Sequence, residues 1–377
     1  MGSFRTFARI ARKPVPNFSL WNKLTCEWKN FMYDIAIIGL GPAGATLARL
    51  LNSKYKIIAI DKKNSKINKC CGGLLSPDAQ KILAQFDICL PKDVLSDPQI
   101  FSVKTIDLDN NIERFYQRFY MNMDRAKFDN FLISLIPSNV EICSDSVCMK
   151  IERKEKFFIV EFKTGNEKRT APAKIVIGAD GANSIVRNTF FKNRTMQKYA
   201  AIQEWYEDKT NSPFYSCIFD AKITNSYCWI ISKDNYLVIG GAFPRTGCNE
   251  RFEMLKEKIK NRGISFQKLI KRECCFVLMN KGLMDTRTGK NGAYLAGEAA
   301  GMISPSSLEG ISYSMKSAKI LAKILNADPA HVERKYFLET MGIRIRLLLK
   351  IFKMPFMYSR VLRKLVMKSG IKAISHN

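Results

Sequence analysis

The stretch from Tyr33 to Asp61 constrains the fold more than any other part of the chain. It begins with a short apolar run that predicts a buried strand, and the glycine-rich sequence GLGPAG follows immediately. A helical pattern of apolar residues comes next, and a second buried strand over 56–60 ends at Asp61. Strand, glycine turn, helix, strand and acid is the order that a dinucleotide-binding unit requires.

The glycines of this motif have separate tasks in such a unit. Gly39 permits the tight turn, Gly41 lets the backbone approach a pyrophosphate, and Gly44 lets the helix pack closely on the strand. The helix then offers its N-terminal N–H groups and positive dipole end to the phosphates. Asp61 stands where a carboxylate accepts hydrogen bonds from a ribose diol. The alternative is a glycine-rich turn in another kind of α/β protein.

Composition limits the classes of function. At 377 residues the chain is long enough for two domains, and no apolar run reaches the roughly 18 residues of a membrane-spanning helix. We find no secretory signal segment, so the expected location is the cytoplasm. The 11 cysteines show neither a CxxC pair nor a metal-ligand spacing, and there are only 2 histidines. We therefore expect reduced thiols and no metal site.

The net charge of +27 favours an anionic partner. No helix-turn-helix, zinc-finger or RNA-binding motif accompanies the charge, so an anionic membrane surface is favoured over nucleic acid. Residues 1–31 form a basic extension that is either dispensable or a membrane-touching arm. Residues 331–377 interleave basic and apolar residues, and Pro355 is expected to divide them into two amphipathic helices. These helices either lie in the lipid headgroup layer on the inner face of a membrane or pack as a C-terminal bundle.

Between these ends the chain alternates between strands and helices. Residues 98–123 and 140–177 have the pattern of strands, Asp124-Arg125 begins a helix, and residues 198–243 are again rich in strands. A short strand over 293–296 then runs into the sequence GEAAG, and a long helix follows Gly310. The chain therefore combines one nucleotide-binding unit with a second, strand-rich region.

Three separated motifs resemble the signatures of the glutathione-reductase-type flavoproteins, in the subgroup that includes p-hydroxybenzoate hydroxylase. They are GLGPAG at 39–44, GADGANSIVR at 178–187 and GEAAGMISPSSLEGI at 297–311. Two further features resemble the geranylgeranyl reductase family. The sequence KCCGGLLSP at 69–77 is similar to its cysteine–glycine loop, and Tyr227, Trp229, Lys233 and Gly240 have the spacing of its YxWxFPK…G signature.

The chain departs from the family pattern at a few positions. Glu298 stands where the family usually has Asp, Ile231 and Ser232 replace the Phe and Pro of the YxWxFPK signature, and Thr224 replaces a preceding Pro. Because these residues would form part of a pocket wall, the substrate is expected to differ with them.

The resemblance implies an α/β fold. A Rossmann-like FAD-binding domain of the glutathione-reductase type would carry an inserted antiparallel β-sheet substrate domain and a helical C-terminus. The implied segments are the extension 1–31, the FAD-binding domain in two parts over 32–190 and 283–330, the substrate domain over 191–282, and the basic helical segment over 331–377. The implied cofactor is FAD. The chain has no second GxGxxG unit, so electrons would come from transiently bound NAD(P)H or from a redox partner.

The resemblance also implies which residues bind FAD. They are Gly39, Gly41, Pro42, Ala43, Gly44, Asp61, Lys62, Gly72, Arg125, Asp180, Gly181, Glu298, Gly301, Pro305, Gly310 and Ile311. Arg125 matches an arginine that family members place against the flavin; alternatively it pairs with Asp124 or Asp129 at a helix start. Glu298 matches the acid that hydrogen-bonds the ribityl chain. The helix that begins at Gly310-Ile311 would direct its positive end at the flavin N1–C2=O.

Two sets of residues concern catalysis and substrate. Cys70 and Cys71 are interpreted either as an acidified proton donor near the flavin or as small residues that fill a tight loop. Tyr227 and Trp229 lie two residues apart and so face one side of a strand. They either line a slot for an apolar small molecule or lipid, with Lys233 at its rim, or belong to the sheet core.

Three functions are consistent with the sequence. The first is FAD-dependent reduction of C=C bonds in an isoprenoid or another lipid by hydride transfer from reduced flavin. The second is a flavin-dependent monooxygenase or halogenase on the same scaffold, although halogenases usually carry a Trp-x-Trp-x-Ile run and Trp229-Ile230-Ile231 is not one. The third is a non-catalytic, flavin-binding protein at a membrane.

Overall fold

Two β-sheets organise the part of the chain that the computed structural model describes, which is residues 32–62, 69–191, 196–208 and 212–374. The extension 1–31 lies outside these ranges, and Tyr33–Asn377 form one unit. In chain order the strands are β1 (Tyr33–Ile38), β2 (Ile57–Ile60), β3 (Leu74–Leu75), β4 (Ile100–Asp107), β5 (Ile112–Asn122), β6 (Val140–Cys143), β7 (Ser146–Arg153), β8 (Phe158–Thr164), β9 (Glu167–Gly178), β10 (Gln197–Glu207), β11 (Phe214–Phe219), β12 (Cys228–Lys233), β13 (Tyr236–Pro244), β14 (Leu269–Met279), β15 (Gly289–Lys290), β16 (Ala293–Leu295) and β17 (Ala373–Ile374). The α-helices are α1 (Pro42–Leu50), α2 (Pro77–Ala84), α3 (Arg125–Ser134), α4 (Ile185–Phe190), α5 (Cys248–Lys260), α6 (Ile311–Ala327), α7 (Val332–Glu339), α8 (Met341–Tyr358) and α9 (Arg360–Lys368).

The first sheet contains the glycine motif. Its strand order is β15-β16-β9-β1-β2-β6, with β7 and β8 attached through β9, and the strands from β16 to β6 are parallel. The sequences of β1 and β2 are nearly continuous apolar runs, as expected of parallel strands that are covered on both faces. Helices α1 and α6 pack against each other over one face, where Leu47, Leu321 and Leu325 join the core. The predicted α/β class is confirmed.

The second sheet has the strand order β14-β10-β13-β12-β11-β4-β5-β17, with β3 paired to β5. Strands β4 and β11 pair in parallel, and the other neighbours along this order are antiparallel. The sheet is therefore not confined to residues 191–282, because β4 and β5 come from the segment predicted as the first part of the FAD-binding domain. The pairing of β4 with β11 joins residues more than a hundred positions apart in the chain, and no local pattern encodes it.

The C-terminal segment is helical, but the predicted division at Pro355 is wrong. Pro355 lies inside α8, and the break comes at Ser359, whose hydroxyl accepts a hydrogen bond from Leu362 N at 3.5 Å. Met354 packs against the core of the second sheet beside Pro355, which holds this turn of the helix in place. Helix α9 is attached to the same sheet through buried Arg363.

The guanidinium group of Arg363 binds two carboxylates of the second sheet. Its Nη2 donates to Asp107 Oδ1 at 2.9 Å and to Asp109 Oδ2 at 2.7 Å, and its central carbon lies 5.1 Å from the Phe219 ring centre. Burial alone would raise the pKa of Asp107, but the hydrogen bond and charge of Arg363, with a further hydrogen bond from Asn110, outweigh burial and lower it. Part of the segment thus packs on the second sheet, and contact of the segment with a membrane stays a prediction.

Candidate functional site

Parallel strand pairing brings the three separated motifs to one edge of the first sheet. Ile38 at the end of β1 lies opposite Gly178 at the end of β9, and Gly178 lies opposite Leu295 at the end of β16. The chain leaves these strands into GLGPAG, GADGAN and GEAAG, respectively. The carboxyl edge of a parallel sheet, where helix N-termini also point, is where such folds bind ligands. One cleft therefore receives all three motifs.

The glycine turn is shaped by its surroundings. Gly39 has a φ of +93°, and a Cβ atom there would lie 2.8 Å from the Asp180 Cα atom. A Cβ atom at Gly44 would lie 1.8 Å from the Gly39 carbonyl oxygen, so α1 could not approach the turn this closely. At Gly41, by contrast, a Cβ atom would meet no atom of the described residues within 4 Å. The space beside Gly41 is thus open, as a bound pyrophosphate requires.

The start of α1 offers unsatisfied N–H groups next to this space. Gly41 is the N-cap residue and supplies no side chain, and the first turn contains no acidic residue. Asp61 is buried at the end of β2, and Gly39 N donates to the neighbouring Ile60 carbonyl at 2.8 Å. The turn, the helix start and the acid thus have the arrangement that the sequence predicts for a dinucleotide.

Asp180 of the second motif is a buried acid. Its carboxylate accepts a hydrogen bond from Ile185 N at 2.7 Å, whereas Oδ1 is buried with no hydrogen-bond partner in the described part of the chain. Burial raises the pKa of Asp180 to about 6, although the contacts with Ser184 and Ile185 act in the opposite direction. A buried carboxylate oxygen without a partner is available to a ligand hydroxyl or N–H group.

The raised pKa of Asp180 predicts a pH-dependent cost in stability. Between about pH 3.9 and pH 6 the folded protein binds more protons than the unfolded chain, so stability falls as pH rises through this window. Asp180→Asn removes this cost, and we expect the ligand-free variant to match the wild type near pH 4 and to exceed it by about 1–3 kcal/mol above pH 7. Urea unfolding of both proteins across this range tests the expectation. A constant difference at every pH would contradict it.

Glu298 of the third motif is buried and already has protein partners. Its Oε1 accepts from Leu278 N at 3.0 Å, and its Oε2 forms an ion pair with the Lys69 ammonium. Burial alone would lower the pKa of Lys69, but the Glu298 charge outweighs it and raises this pKa. A Cβ atom at Gly181 would lie 3.5 Å from Glu298 Oε2, so the acid faces the second motif. The predicted ribityl contact of Glu298 stays a prediction, since this carboxylate must share its oxygens with Lys69.

The loop at 69–73 packs between the two sheets. Cys71 O accepts from Gln203 Nε2 at 3.2 Å, and Cys70 O accepts from the Cys275 thiol at 3.5 Å. The hydrogen bond to the Cys275 thiol, together with burial, raises the pKa of Cys70 well above its ordinary value. The raised pKa argues against an acidified Cys70, because a desolvated thiol beside another thiol resists ionisation, and a catalytic role of the two cysteines stays a prediction. Cys71 is partly exposed, and its sulfur accepts from Gly73 N at 3.4 Å.

Lys233 does not stand at the rim of a slot, as predicted, but is buried beneath this loop. Its ammonium donates to Gly73 O at 3.1 Å, to Met123 O at 2.8 Å and to the Asn122 side chain. Burial lowers the pKa of Lys233 to about 8. The side chain ties the glycine loop to the end of β5, because its ammonium donates to oxygens of both segments. A Cβ atom at Gly72 would lie 2.7 Å from Ile231 Cδ1, so the preceding glycine also packs on β12.

Arg125 has one of the two roles that the sequence leaves open, the pairing with Asp129 at a helix start. It begins α3 and its Nε lies 2.9 Å from Asp129 Oδ1, while Asp124 caps the same helix by accepting from Ala126 N at 2.7 Å. Burial alone would lower the pKa of Arg125, but the charges and hydrogen bonds of Asp129 and Cys71 outweigh burial and raise this pKa. The guanidinium group therefore lies between the helix and the cysteine–glycine loop. Its contact with a flavin stays a prediction.

Tyr227 and Trp229 form an aromatic group with their neighbours, their ring centres being 5.9 Å apart. Tyr227 donates to Ser307 O at 2.7 Å, which ties β12 to the loop that contains Pro305. Trp229 is buried, and its Nε1 has no hydrogen-bond partner among the residues described. A Cβ atom at Gly240 would lie 2.6 Å from this indole ring, so Gly240 makes room for it. The side chains belong to the core, and they also border the third motif.

The third motif ends where the long helix begins. Gly301 has a φ of +76° and its carbonyl oxygen accepts a hydrogen bond from Asn280, and α6 starts at Ile311 after the N-cap residue Gly310. Glu309 occupies this helix start, because its carboxylate accepts from Ser312 N and from the Ser312 hydroxyl at 2.8 Å each. Burial raises the pKa of Glu309. The helix dipole that the sequence assigns to the flavin is therefore shared with a side chain that sequence reasoning missed.

A cavity bordered by described residues lies away from the three motifs. Its volume is about 1090 Å³, and its lining includes Phe190, Arg287, Tyr294, Phe337 and Arg344. None of the predicted site residues lines it. The size of this cavity does not make it the candidate site, because the three motifs converge at another place. Sequence reasoning also missed Gln203 and Cys275, although the vicinal pair at 274–275 is visible in the sequence.

The chain has close relatives among known protein sequences, and the solved structures that resemble it are more distant in sequence. No protein-family model matches the sequence. The chain is 45% identical over 346 residues to Protein CbrA of Escherichia coli K12. The aligned residues cover 91% of this chain and 98% of that protein. Protein CbrA of Shigella sonnei gives the same identity and coverage.

Several solved structures that resemble this one are named as flavin-dependent enzymes. A geranylgeranyl bacteriochlorophyll reductase-like protein from Thermoplasma acidophilum has a TM-score of 0.75 at 19% identity, covering 89% of this chain and 90% of that one. PqsL of Pseudomonas aeruginosa, a probable FAD-dependent monooxygenase, has a TM-score of 0.67 at 15% identity, covering 89% and 100%. The flavin-dependent halogenase CmlS has a TM-score of 0.65 at 14% identity, covering 92% and 68%. At these low sequence identities the three structures establish only the fold. The shared fold confirms the resemblance to the geranylgeranyl reductase-like flavoproteins.

Proposed function

Because the chain belongs to the CbrA protein family and has the fold of these flavoproteins, we propose that it is an FAD-dependent oxidoreductase that reduces C=C bonds of an isoprenoid or another lipid. The observation that carries the proposal is the cleft where three motifs converge beside the open space at Gly41. The reductase-like neighbour has the highest TM-score of the three solved structures described above, which favours reduction over oxygenation.

The residues of the cleft fit FAD. Gly41 and the start of α1 would hold the pyrophosphate, Asp61 the adenosine ribose, and the unpartnered Asp180 Oδ1 a polar group of the cofactor. Lys62, Gly181, Gly301 and Pro305 would line the same groove. When bound, FAD supplies the hydride for the double bond after it has been reduced by NAD(P)H or a redox partner.

The chain's own side chains would hold the substrate and exclude water. One apolar cluster beside the third motif contains Cys70, Trp229 and Ile303, and Tyr215 and Leu308 pack against it. The apolar part of a lipid substrate would contact the partly buried members of this group. Trp229 Nε1 and Gln203 Oε1 are buried without partners among the residues described, and both side chains border Gly240. The indole N–H of Trp229 as a donor and the amide oxygen of Gln203 as an acceptor can orient the polar end of a lipid.

Saturation of a double bond requires a proton besides the hydride. Cys71 is the better placed of the two loop cysteines, because it is partly exposed whereas Cys70 is buried against Cys275. We assign the proton to Cys71 Sγ or to a water molecule that reaches it. When Cys71 is the donor, the thiolate that remains after transfer would lie near the Arg125 guanidinium group.

The test is anaerobic turnover with a polyprenyl lipid in detergent micelles. The reduced protein should be reoxidised only when lipid is added, and mass spectrometry should find the lipid heavier by one H₂ for each reduced bond. Cys71→Ala should slow this reaction by about 10²-fold, as expected on loss of a general acid, with the flavin content unchanged. Cys89→Ala, at an exposed cysteine, should leave it unaltered. Oxygen consumption with NADPH and aromatic substrates, without lipid reduction, would instead identify a monooxygenase, and no turnover of either kind would leave a non-catalytic flavoprotein.

A further inference from the structure

Helix α8 is apolar on two opposite faces. Its inner face contributes buried Ile343 and Leu347 to the core of the first sheet. Its outer face carries four large apolar side chains at intervals of four, three and four residues, which lie along one line of a helix. Their exposed fractions are 50% for Ile345, 63% for Leu349, 66% for Phe352 and 51% for Phe356.

Helix α9, which follows α8 after the break at Ser359, also has an exposed apolar face. Val361 and Leu365 lie one turn apart and are 66% and 61% exposed, whereas Arg363 and Met367 on the other side are buried. We call the six exposed side chains the outer stripe: Ile345, Leu349, Phe352, Phe356, Val361 and Leu365. A soluble surface does not normally expose apolar side chains in such a contiguous order, so the outer stripe marks an interaction site.

The charges that helices α8 and α9 themselves place beside the outer stripe all have one sign. Residues 341–377 contain no Asp or Glu, and their basic residues are Arg344, Arg346, Lys350, Lys353, Arg360, Arg363, Lys364, Lys368 and Lys372. Six of them are exposed, namely Arg346, Lys353, Arg360, Lys364, Lys368 and Lys372. The structure gives none of these six an ion pair with a carboxylate of the residues it describes. The surface therefore combines a line of apolar side chains with a border of free positive charge.

We propose that the outer stripe docks on the surface of an anionic lipid bilayer, with its side chains among the acyl chains and the flanking cations among the headgroups. Amphipathic helices with basic borders bind membranes in this way, and each cation near an anionic surface adds to the affinity. The proposal concerns docking on the surface, since no helix that the structure describes has the length and apolar character needed to cross a bilayer. It goes beyond the proposed function, and binding to vesicles requires neither FAD nor turnover.

Charge excludes the other simple occupants. The extension 1–31 carries Arg5, Arg9, Arg12, Lys13, Lys23 and Lys29 against the single acid Glu27, so it does not complement a basic surface. A second copy of the chain would bring the same cations against each other across a symmetric interface. A nucleic acid would satisfy the cations but would leave the outer stripe in water. An anionic bilayer satisfies both features at once.

The experiment is flotation of the full-length protein with lipid vesicles. Phosphatidylcholine vesicles with and without phosphatidylglycerol are compared, for the wild type and for Phe352→Ser/Phe356→Ser. The control is Val147→Ser/Met149→Ser, which removes two side chains that are 47% and 61% exposed on β7 of the first sheet. We expect the wild type and the control to bind the anionic vesicles, and the outer-stripe variant to bind at least tenfold more weakly. A third variant, Lys353→Gln/Lys364→Gln/Lys368→Gln, should lose binding selectively as phosphatidylglycerol is reduced or salt is added.

Three results would overturn the proposal. The first is that the wild type does not float with vesicles of either composition. The second is that the outer-stripe variant floats as well as the control. Alternatively, analytical ultracentrifugation would show a wild-type dimer that Phe352→Ser/Phe356→Ser converts to a monomer, which would assign the face to a second copy. The substituted side chains are exposed, so circular dichroism and thermal unfolding should match the wild type in every variant.

Discussion

Gly41→Val is expected to abolish FAD binding while the protein keeps its fold. A Cβ atom at this position meets nothing within 4 Å in the part of the chain that the structure describes, and the backbone is extended with φ −67° and ψ −172°, which valine adopts readily. The new side chain would fill the space that we assign to the pyrophosphate. We expect affinity for FAD to fall by about 100-fold or more, which corresponds to roughly 3 kcal/mol. The loss of a glycine N-cap should lower the free energy of unfolding of the apo-protein by about 1 kcal/mol at most.

The measurement is titration of apo-protein with FAD, followed by flavin fluorescence. Gly282→Val is the matched control, because Gly282 is also extended and also precedes a helical turn. No atom of the described residues lies within 4 Å of the position that its Cβ atom would take. It lies outside the three motifs and should bind FAD as the wild type does. Equal affinities of the two variants would show that the open space at Gly41 is not the cofactor site.

Gly73→Ala is expected to destabilise the protein by about 3–4 kcal/mol and to displace the cysteine–glycine loop. Gly73 has a φ of +63°, and a Cβ atom there would lie 2.3 Å from Met123 O and 2.6 Å from Lys233 Nζ. The left-handed backbone alone costs an L-residue about 1–2 kcal/mol. The remainder comes from the clash, which also separates the Lys233 ammonium from its oxygen partners.

The control for this substitution is Gly165→Ala. Gly165 has a φ of +56° in a hairpin turn, but a Cβ atom added to it would have no neighbour within 4 Å. It should therefore lose only the cost of the backbone conformation. Urea denaturation of both variants gives the two free energies of unfolding, and lipid-dependent turnover shows whether the displaced loop matters for catalysis. Equal losses of stability would contradict the packing of the loop on Lys233.

Local sequence was sufficient to predict the nucleotide-binding unit. The apolar run, the glycines and Asp61 encode strand, turn, helix and strand within one continuous stretch, and the structure reproduces them as β1, α1 and β2. Helix starts were also predictable, because Ser76 and Asp124 cap α2 and α3 through bonds to residues two or three positions away. The convergence of the three motifs followed from the rule that parallel strands share a carboxyl edge.

Contacts between distant residues could not be predicted in this way. The burial of Lys233 depends on Gly73 and Met123, which come from other strands and loops more than a hundred residues away. The ion pair of Lys69 with Glu298 and the contact of Cys70 with Cys275 likewise join remote segments. Pro355 was expected to end a helix because proline disfavours helix interiors, yet packing around Met354 overrides that local preference.

The visible absorbance of the purified full-length protein tests the central claim most directly. We predict flavin bands in the isolated protein, and FAD, identified by mass spectrometry after denaturation, in an amount equimolar to the chain. A colourless protein that also fails to take up added FAD would contradict the assignment of the cleft at Gly41, and with it the proposed reduction of lipid double bonds.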